Sequence, residues 1–243
     1  MNYTRMMGVL VIALLLVTAA AAEPTLQLYI EGATYDDTSE TWVVEGGTTF
    51  NIWAIGNLMD GPAKYGIFDV KLAVAYEHGA NTTIELTPTT TAGFGGFTDP
   101  STPGTPAYIK TVTDGSLPKL GNGADIPSHG VYGAGTDWTE YGLGDFTVAD
   151  SPCGDFIDAL PAPGNVGCQI NAYAVTITGG TSPWIHFDLY DHIYTRSTAR
   201  HFKYVKAPFS HDGEYESVPE PGTVLLFGSG LLGLSFNLRR RLM

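Results

Sequence analysis

The sequence predicts an all-β protein, an antiparallel β-sandwich with a long glycine- and proline-rich insertion. Short segments in which apolar and polar residues alternate recur along the chain, and a period of two is typical of half-buried strands. Apolar residues at helical spacing are almost absent between the two ends of the chain. The 30 glycines and 15 prolines supply turn signals between the segments, as a sandwich of short strands requires.

The N-terminus has the three parts of a secretory signal peptide. Arg5 supplies a positive charge, residues 8–17 form an unbroken apolar run, and Ala20 and Ala22 form the small-residue pattern that signal peptidase accepts. The run of 10 residues is shorter than the roughly 20 residues that a transmembrane helix needs. We therefore expect residues 1–22 to be removed after export.

Residues 23–217 are long enough for one surface domain with its own hydrophobic core. Alternating apolar residues predict five strands in the first half of this domain, at residues 26–30, 41–44, 49–55, 68–76 and 83–87. The short link at residues 45–48, which contains two glycines, predicts a hairpin between the second and third strands. The five strands together predict an antiparallel meander.

Regular alternation fades between residues 93 and 144, where glycine and proline are frequent. We interpret this stretch as a long insertion that contains one short strand at residues 108–112. Alternation returns in three further segments, at residues 169–178, at residues 184–190 and, weakly, at residues 201–205.

The two cysteines, Cys153 and Cys168, are 15 residues apart in a chain that is predicted to be exported. The oxidising compartment and the lack of a CxxC spacing favour a disulfide over a reactive thiol pair or half a metal site. Closing a loop of this size stabilises a fold by roughly 3 kcal/mol, mainly by restricting the unfolded chain.

One candidate site lies on the predicted strand that begins at Trp184. Imidazole and carboxylate ligands suit zinc or manganese, so His186, Asp188 and His192 form a candidate metal site. Strand alternation puts His186 and Asp188 on one face, whereas His192 falls on another face or in the following turn. A metal site and an ordinary solvated strand face both remain open.

Three pairs of acidic residues in predicted loops form a second candidate, because calcium binds several oxygen ligands. None has the spacing of an EF-hand loop, so a structural calcium ion and solvated turns both remain open. The pairs are Asp36 with Asp37, Asp145 with Asp150, and Asp155 with Asp158. Apart from such an ion, we expect no cofactor.

The sequence lacks the short motifs of serine hydrolases, zinc peptidases and phosphate-binding loops. Ser128-His129 and Ser210-His211-Asp212 combine suitable residue types, but catalytic triads are assembled in space, and neighbours in sequence seldom face each other. We therefore predict that the protein is not an enzyme.

The C-terminal tail, residues 218–243, consists of three parts. Pro219-Glu220-Pro221 is predicted to be extended, because proline removes backbone donors and disfavours helix. Residues 224–238 form an apolar run of 15 residues, about 22 Å as a helix, and predict a short transmembrane helix. Arg239-Arg240-Arg241 follows as a stop-transfer signal that keeps the C-terminus in the cytoplasm.

In all three parts the tail resembles a PEP-CTERM sorting signal, with Pro219-Glu220-Pro221 as its tripeptide. The resemblance implies that a membrane-embedded exosortase recognises the tripeptide, cuts near it and passes the protein to the envelope surface or the extracellular matrix. It therefore implies the secretion machinery, an exosortase and, transiently, the inner membrane as partners. Because proteins with such tails occur in Gram-negative bacteria that make exopolysaccharide, exopolysaccharide is a further expected partner.

A second resemblance covers the domain itself. The N-terminal strand pair and residues 206–212 are similar to the choice-of-anchor group of exported bacterial proteins, type N. This resemblance implies a surface domain joined to varied anchoring tails, and it assigns no catalytic or ligand residues.

The leading hypothesis is a non-enzymatic surface or matrix protein associated with exopolysaccharide or biofilm. The net charge of −13 excludes nucleic acid and anionic membrane surfaces as electrostatic partners. One alternative is a metal-dependent hydrolase that uses His186, Asp188 and His192. The other is a lectin-like glycan-binding module, with or without calcium, because exposed aromatic rings stack on sugars; its candidates are Trp42, Trp53, Trp138 and Trp184.

Overall fold

The computed structural model describes residues 25–59, 66–89, 107–112, 115–127, 130–154, 156, 166–180, 182–194, 202–206 and 212–217. The predicted signal peptide, the sorting tail and its transmembrane segment lie outside these residues. Within the described ranges there is no helix of the length and apolar character that crossing a bilayer takes.

The described residues form thirteen strands and no helix, so the all-β prediction is confirmed. The strands are β1 (Leu26–Ile30), β2 (Thr34–Asp36), β3 (Thr41–Glu45), β4 (Thr49–Asn57), β5 (Ile67–Glu77), β6 (Thr82–Thr89), β7 (Ala107–Val112), β8 (Thr136–Phe146), β9 (Ser151–Pro152), β10 (Val166–Gly179), β11 (Trp184–Tyr194), β12 (Phe202–Lys206) and β13 (Asp212–Glu216).

The strands form two sheets that face each other. Sheet A has the order β1-β4-β10-β6, with β9 paired to β10, and sheet B has the order β2-β3-β13-β11-β5-β8-β7, with β12 paired to β11. Strand pairs are antiparallel in both sheets, apart from β3 and β13, which run parallel. The protein is therefore a β-sandwich whose second sheet is mixed rather than purely antiparallel.

The main core fills the space between the two sheets. Leu26, Leu28 and Ile30 of β1 are fully buried there, as the alternation in the sequence predicts. Ile185 and Phe187 of β11 enter the same core from sheet B. Burial of such side chains removes apolar surface from water and is the main favourable contribution to folding.

The predicted hairpin at residues 45–48 is wrong, and so is the predicted meander. β3 belongs to sheet B and β4 to sheet A, so the link crosses from one sheet to the other. Gly46 and Gly47 have φ values of 67° and 75°, which glycine adopts without steric cost. The Gly46 N–H donates to the Glu216 carbonyl at 2.9 Å, which ties the link to the end of β13.

The predicted insertion at residues 93–144 is only partly correct. The short strand expected at residues 108–112 is present as β7, but β8 begins within the same stretch and is a full strand of 11 residues. β8 lies between β5 and β7 in sheet B. Residues 115–127 and 130–135, which precede β8, contribute a second, outer hydrophobic layer on this sheet.

The disulfide between Cys153 and Cys168 is present, as predicted. Both cysteines are buried with Trp53, Ile55 and Phe156 in a small cluster outside the main core. The bridge therefore fastens the segment after β9 to the outer face of sheet A.

Gly56 marks a position where the sheets approach too closely for any side chain. A Cβ atom there would lie 2.6 Å from Cδ2 of Phe146 and 3.0 Å from Cδ1 of Ile67. We expect Gly56→Ala to lower the free energy of unfolding by about 1–3 kcal/mol through overpacking, measured by urea denaturation. Gly47→Asn is the control, since Gly47 has open space around it and asparagine tolerates positive φ. Equal stability of Gly56→Ala and the parent would contradict the close contact.

Candidate functional site

The outer face of β11 carries a row of polar and aromatic side chains that point away from the main core. His186 and Asp188 are each 4 % exposed, and Tyr190 is also buried. The expectation of a solvated strand face is therefore wrong. The physical reason is the outer layer before β8, whose Ile126 and Tyr132 pack over this face of sheet B.

Asp188 is the centre of a buried polar cluster. Its Oδ2 lies 3.3 Å from Nε2 of His186 and accepts a hydrogen bond from the Tyr132 hydroxyl. β11 pairs with β13 so that Phe187 is opposite Gly213, which places Asp212 across from Asp188. One oxygen or nitrogen atom from each of His186, Asp188 and Asp212 lies within 4.8 Å of the others.

The electrostatics of the cluster follow from its burial. Burial and the nearby Asp188 carboxylate raise the pKa of Asp212 well above its ordinary value. The same two causes raise the pKa of Tyr132. Burial alone would lower the pKa of His186, but the Asp188 carboxylate outweighs it, so the pKa is raised. Two carboxyl groups thus share a site from which water is largely excluded.

Lys206 of β12 is a second basic side chain, besides His186, that interacts with the aspartates of the cluster. It lies across from Tyr190 in the β11–β12 register and interacts electrostatically with Asp212 and Asp188. Burial lowers the pKa of its ammonium group in spite of these carboxylates. Lys206 is therefore one cation that can compensate the two aspartates.

A second polar contact lies beside the cluster on the same face. The Tyr190 hydroxyl donates to Oε2 of Glu140, and Nζ of Lys71 lies 3.7 Å from Oε1 of Glu140 and 3.4 Å from Oδ2 of Asp69. Glu140 is thereby paired with Tyr190 and Lys71 and is not one of the three clustered residues His186, Asp188 and Asp212.

Sequence analysis found two of the three clustered residues. His186 and Asp188 share a face, as predicted, and are joined by Asp212, which the sequence had suggested only as part of Ser210-His211-Asp212. His192 lies beyond a register shift between Tyr190 and His192, and its side chain lies outside the described residues. Asp212 joins the cluster because it lies opposite Asp188 in the β11–β13 pairing, and the sequence pattern alone does not reveal that pairing.

The acidic pairs have other contacts, and two of their members lie in strands rather than in the predicted loops: Asp36 ends β2 and Asp145 belongs to β8. Both carboxylate oxygens of Asp36 accept hydrogen bonds within their own turn, from the Thr38 N–H and the Ser39 hydroxyl. Asp145 accepts from the backbone N–H of Asp69, and Asp150 from the Ser151 hydroxyl. Asp155 and Asp158 lie outside the described residues. A structural calcium ion at these pairs stays a prediction.

Three of the four tryptophans are core residues. Trp42, Trp53 and Trp138 are at most 7 % exposed, and the indole N–H groups of Trp53 and Trp138 donate to Oε1 of Glu31 and to the Ser116 carbonyl. Trp184 is partly buried and borders a surface cavity of about 550 Å³ together with residues 130–136 and Glu214.

Residues 217–241 match the PEP-CTERM protein-sorting motif. The chain therefore carries this sorting motif, and the motif indicates an exported, envelope-targeted protein that is sorted by an exosortase. The prediction made from Pro219-Glu220-Pro221 and the residues after it is confirmed. The choice-of-anchor N assignment stays a prediction.

Three solved structures align with this chain at low identity and low TM-score. The major pilin BcpA of Bacillus cereus is 9 % identical and aligns over 81 % of this chain and 41 % of its own, with a TM-score of 0.29. A C-terminal fragment of the major pilin GBS80 of Streptococcus agalactiae is 11 % identical over 80 % of this chain and 56 % of its own, with a TM-score of 0.30.

The C-terminal domain of the AgI/II polypeptide BspA of Streptococcus agalactiae is 11 % identical over 81 % of this chain and 50 % of its own, with a TM-score of 0.22. The chain thus spans about half the length of the structures it matches. No curated protein is significantly similar to it. The fold assignment follows from the strand pairing itself.

Proposed function

We propose that the protein is a non-enzymatic component of the cell surface or extracellular matrix, associated with exopolysaccharide and anchored in the inner membrane until an exosortase processes its tail. The sorting motif at residues 217–241 carries this proposal, because it directs an exported domain to the envelope. The strongly acidic chain, with 25 acidic and 12 basic residues, favours solubility outside the cell.

Burial of the polar cluster supports a structural role rather than hydrolysis. A hydrolytic centre must admit a substrate to its reacting groups, usually in an open cleft. Asp212 and Asp188 are 1 % and 4 % exposed, so their carboxyl groups offer almost no surface to a polymer or peptide. The alternative of a metal-dependent hydrolase is therefore disfavoured by the position of these groups.

The glycan-binding alternative has fewer accessible tryptophans than the four candidates named from the sequence. With Trp42, Trp53 and Trp138 in cores, Trp184 is the tryptophan among the described residues that has surface to offer a sugar ring. Stacking on sugars needs an accessible ring face, and most of the tryptophan rings do not offer one. We therefore propose that exopolysaccharide contacts the surface of the domain without a dedicated row of tryptophans.

Replacement of Pro219, Glu220 and Pro221 by alanine tests the proposal. In a bacterium that has an exosortase, we expect the variant to accumulate in the membrane fraction with its tail attached, and the released form to become a small fraction of the parent amount. The reason is that an exosortase needs the extended tripeptide, whereas the apolar run and Arg239-Arg240-Arg241 still hold the chain in the membrane. Fractionation and intact mass measure the result.

Replacement of Pro161 and Pro163 by alanine is the matched control, because Pro161-Ala162-Pro163 is a similar peptide away from the tail. This control is expected to be processed normally. Release of the tail variant at the parent mass and amount would refute the proposed processing. Unchanged surface retention after enzymatic removal of exopolysaccharide would refute the association with the polymer.

A further inference from the structure

The His186, Asp188 and Asp212 cluster has the composition and placement of a metal centre. We propose that these three side chains bind one divalent transition-metal ion, zinc or manganese, and that the ion joins β11 to β13. Imidazole nitrogen with carboxylate oxygen is a ligand set that both ions accept. The proposal concerns the stability of the domain and is independent of how the tail is processed.

The spacing of the ligand atoms fits a single ion. Two ligands at about 2.1 Å from one ion lie roughly 3.0–3.4 Å apart in tetrahedral or octahedral geometry. Nε2 of His186 and Oδ2 of Asp188 are 3.3 Å apart, within that range. The third ligand atom, from Asp212, lies within 4.8 Å of both, so a small side-chain rotation completes the set.

Burial distinguishes this cluster from a patch of surface carboxylates. Asp188 and Asp212 face each other from neighbouring strands and are almost fully buried. Two ionised carboxylates are costly to remove from water, and either a proton on one of them or a bound cation relieves that cost. The Tyr132 hydroxyl donates to Oδ2 of Asp188, and such hydrogen bonds from outside the ligand set orient carboxylate ligands in metal sites.

An ion can reach the cluster from solvent. His186 borders a surface cavity of about 350 Å³ that is also lined by residues 38–41, Val131 and Glu214. Glu40 and Glu214 place carboxylates beside this cavity, and the chain as a whole has a net charge of −13, so cations are attracted towards it.

Lys206 is the competing explanation for the same geometry. Its ammonium group interacts with both aspartates and would compensate them without any metal. The two explanations differ in which change destabilises the fold. If a metal ion compensates the two aspartates, replacing Lys206 should not destabilise the fold. If Lys206 compensates them instead, the protein binds no metal and replacing the lysine should destabilise it.

The position of the site gives the ion a structural role. β13 ends at Glu216, immediately before the sorting motif at residues 217–241. β11 is the neighbour of β13 towards the centre of sheet B. A metal ion shared by these two strands therefore fastens the last strand of the domain to the middle of the sheet, next to the tail.

The test is metal analysis of the purified full-length chain, followed by thermal unfolding. The protein is prepared without chelators, dialysed against metal-free buffer and analysed for zinc, manganese and calcium. We expect about one equivalent of zinc or manganese per chain. EDTA should lower the melting temperature by at least about 5 °C, and zinc or manganese chloride should restore it.

Two ligand variants and two controls locate the site. Asp212→Asn and His186→Gln should each lose the metal and the response to EDTA. His78→Gln should keep both, because His78 is a partly exposed histidine that contacts Asp137 elsewhere on the surface. Lys206→Met should also keep the metal.

Three results would overturn the proposal. The first is a substoichiometric metal content in the unmodified protein with no change in melting temperature on addition of zinc or manganese. The second is retention of the metal by both Asp212→Asn and His186→Gln. The third is destabilisation by Lys206→Met of a parent protein that binds no metal, which would identify Lys206 as the compensating cation. If a ligand variant does not fold, the metal content of the unmodified protein and its response to EDTA decide whether the proposal holds.

Discussion

Replacing Trp138 by alanine is expected to lower the free energy of unfolding by about 3–5 kcal/mol. Trp138 is 2 % exposed and packs in the outer layer against Ile126, Tyr132 and Tyr190. Its indole N–H donates to the partly buried Ser116 carbonyl at 3.1 Å, so the variant loses apolar burial and also leaves this acceptor without its donor. Urea denaturation followed by circular dichroism measures the change.

Trp184→Ala is the matched control for this prediction. Trp184 borders the same outer layer but is only partly buried, so its removal should cost about 1 kcal/mol. The same size of side chain is deleted in both variants, and the difference between them therefore reports the enclosure of Trp138. Equal losses would mean that the segment before β8 lies loosely on sheet B and does not form a second core.

Trp138 also illustrates what the sequence could not predict. It belongs to β8, most of which falls in the stretch at residues 93–144 that was assigned to an insertion because glycine and proline are frequent there. Both faces of β8 are buried, Trp138 and Glu140 on the outside and Tyr141 and Leu143 towards the main core. A strand covered on both sides shows no alternation of apolar and polar residues, and the periodicity that reveals half-buried strands does not apply to it.

Local patterns predicted strands well and their pairing poorly. The links at residues 45–48 and 78–81 were each short enough for a hairpin, yet each connects sheet B to sheet A. A chain of three or four residues serves either purpose, because the sheets of a sandwich are only about 10 Å apart. Pairing is decided by contacts between distant segments, such as β4 with β10 and β5 with β11.

The candidate site was also predicted only where it depends on a single strand. His186 and Asp188 could be placed on one face because both lie in one strand and are two residues apart. Asp212 is 24 residues further along the chain than Asp188, and only the β11–β13 register brings it near. The burial of all three depends on the cover before β8, which the sequence did not indicate. The sequence therefore predicted which polar residues share a face of one strand, but not which residues of different strands lie together.

Removing the disulfide by the double variant Cys153→Ala and Cys168→Ala is expected to lower the free energy of unfolding by about 3 kcal/mol. For a domain of this size the melting temperature should fall by about 6–12 °C. The bridge closes a loop across 15 residues, and its loss enlarges the conformational freedom of the unfolded chain. Because the two cysteines are also buried, a small further loss from packing is expected.

Reduction of the parent protein separates the covalent effect from the packing effect. The parent under a thiol reductant keeps both sulfur atoms in the cluster and loses only the bond, so it should fall between the oxidised parent and the double variant. Gln27 of β1 also holds this segment, since its side chain donates to the Gly154 carbonyl at 2.6 Å and accepts from the Phe156 N–H at 3.2 Å. These bonds survive in both states, so the segment should stay docked and the fold should remain cooperative. If oxidised, reduced and double-variant proteins all unfold at the same urea concentration, the unfolded chain gains no freedom when the bond is cut, and the stabilisation assigned to the bridge is wrong.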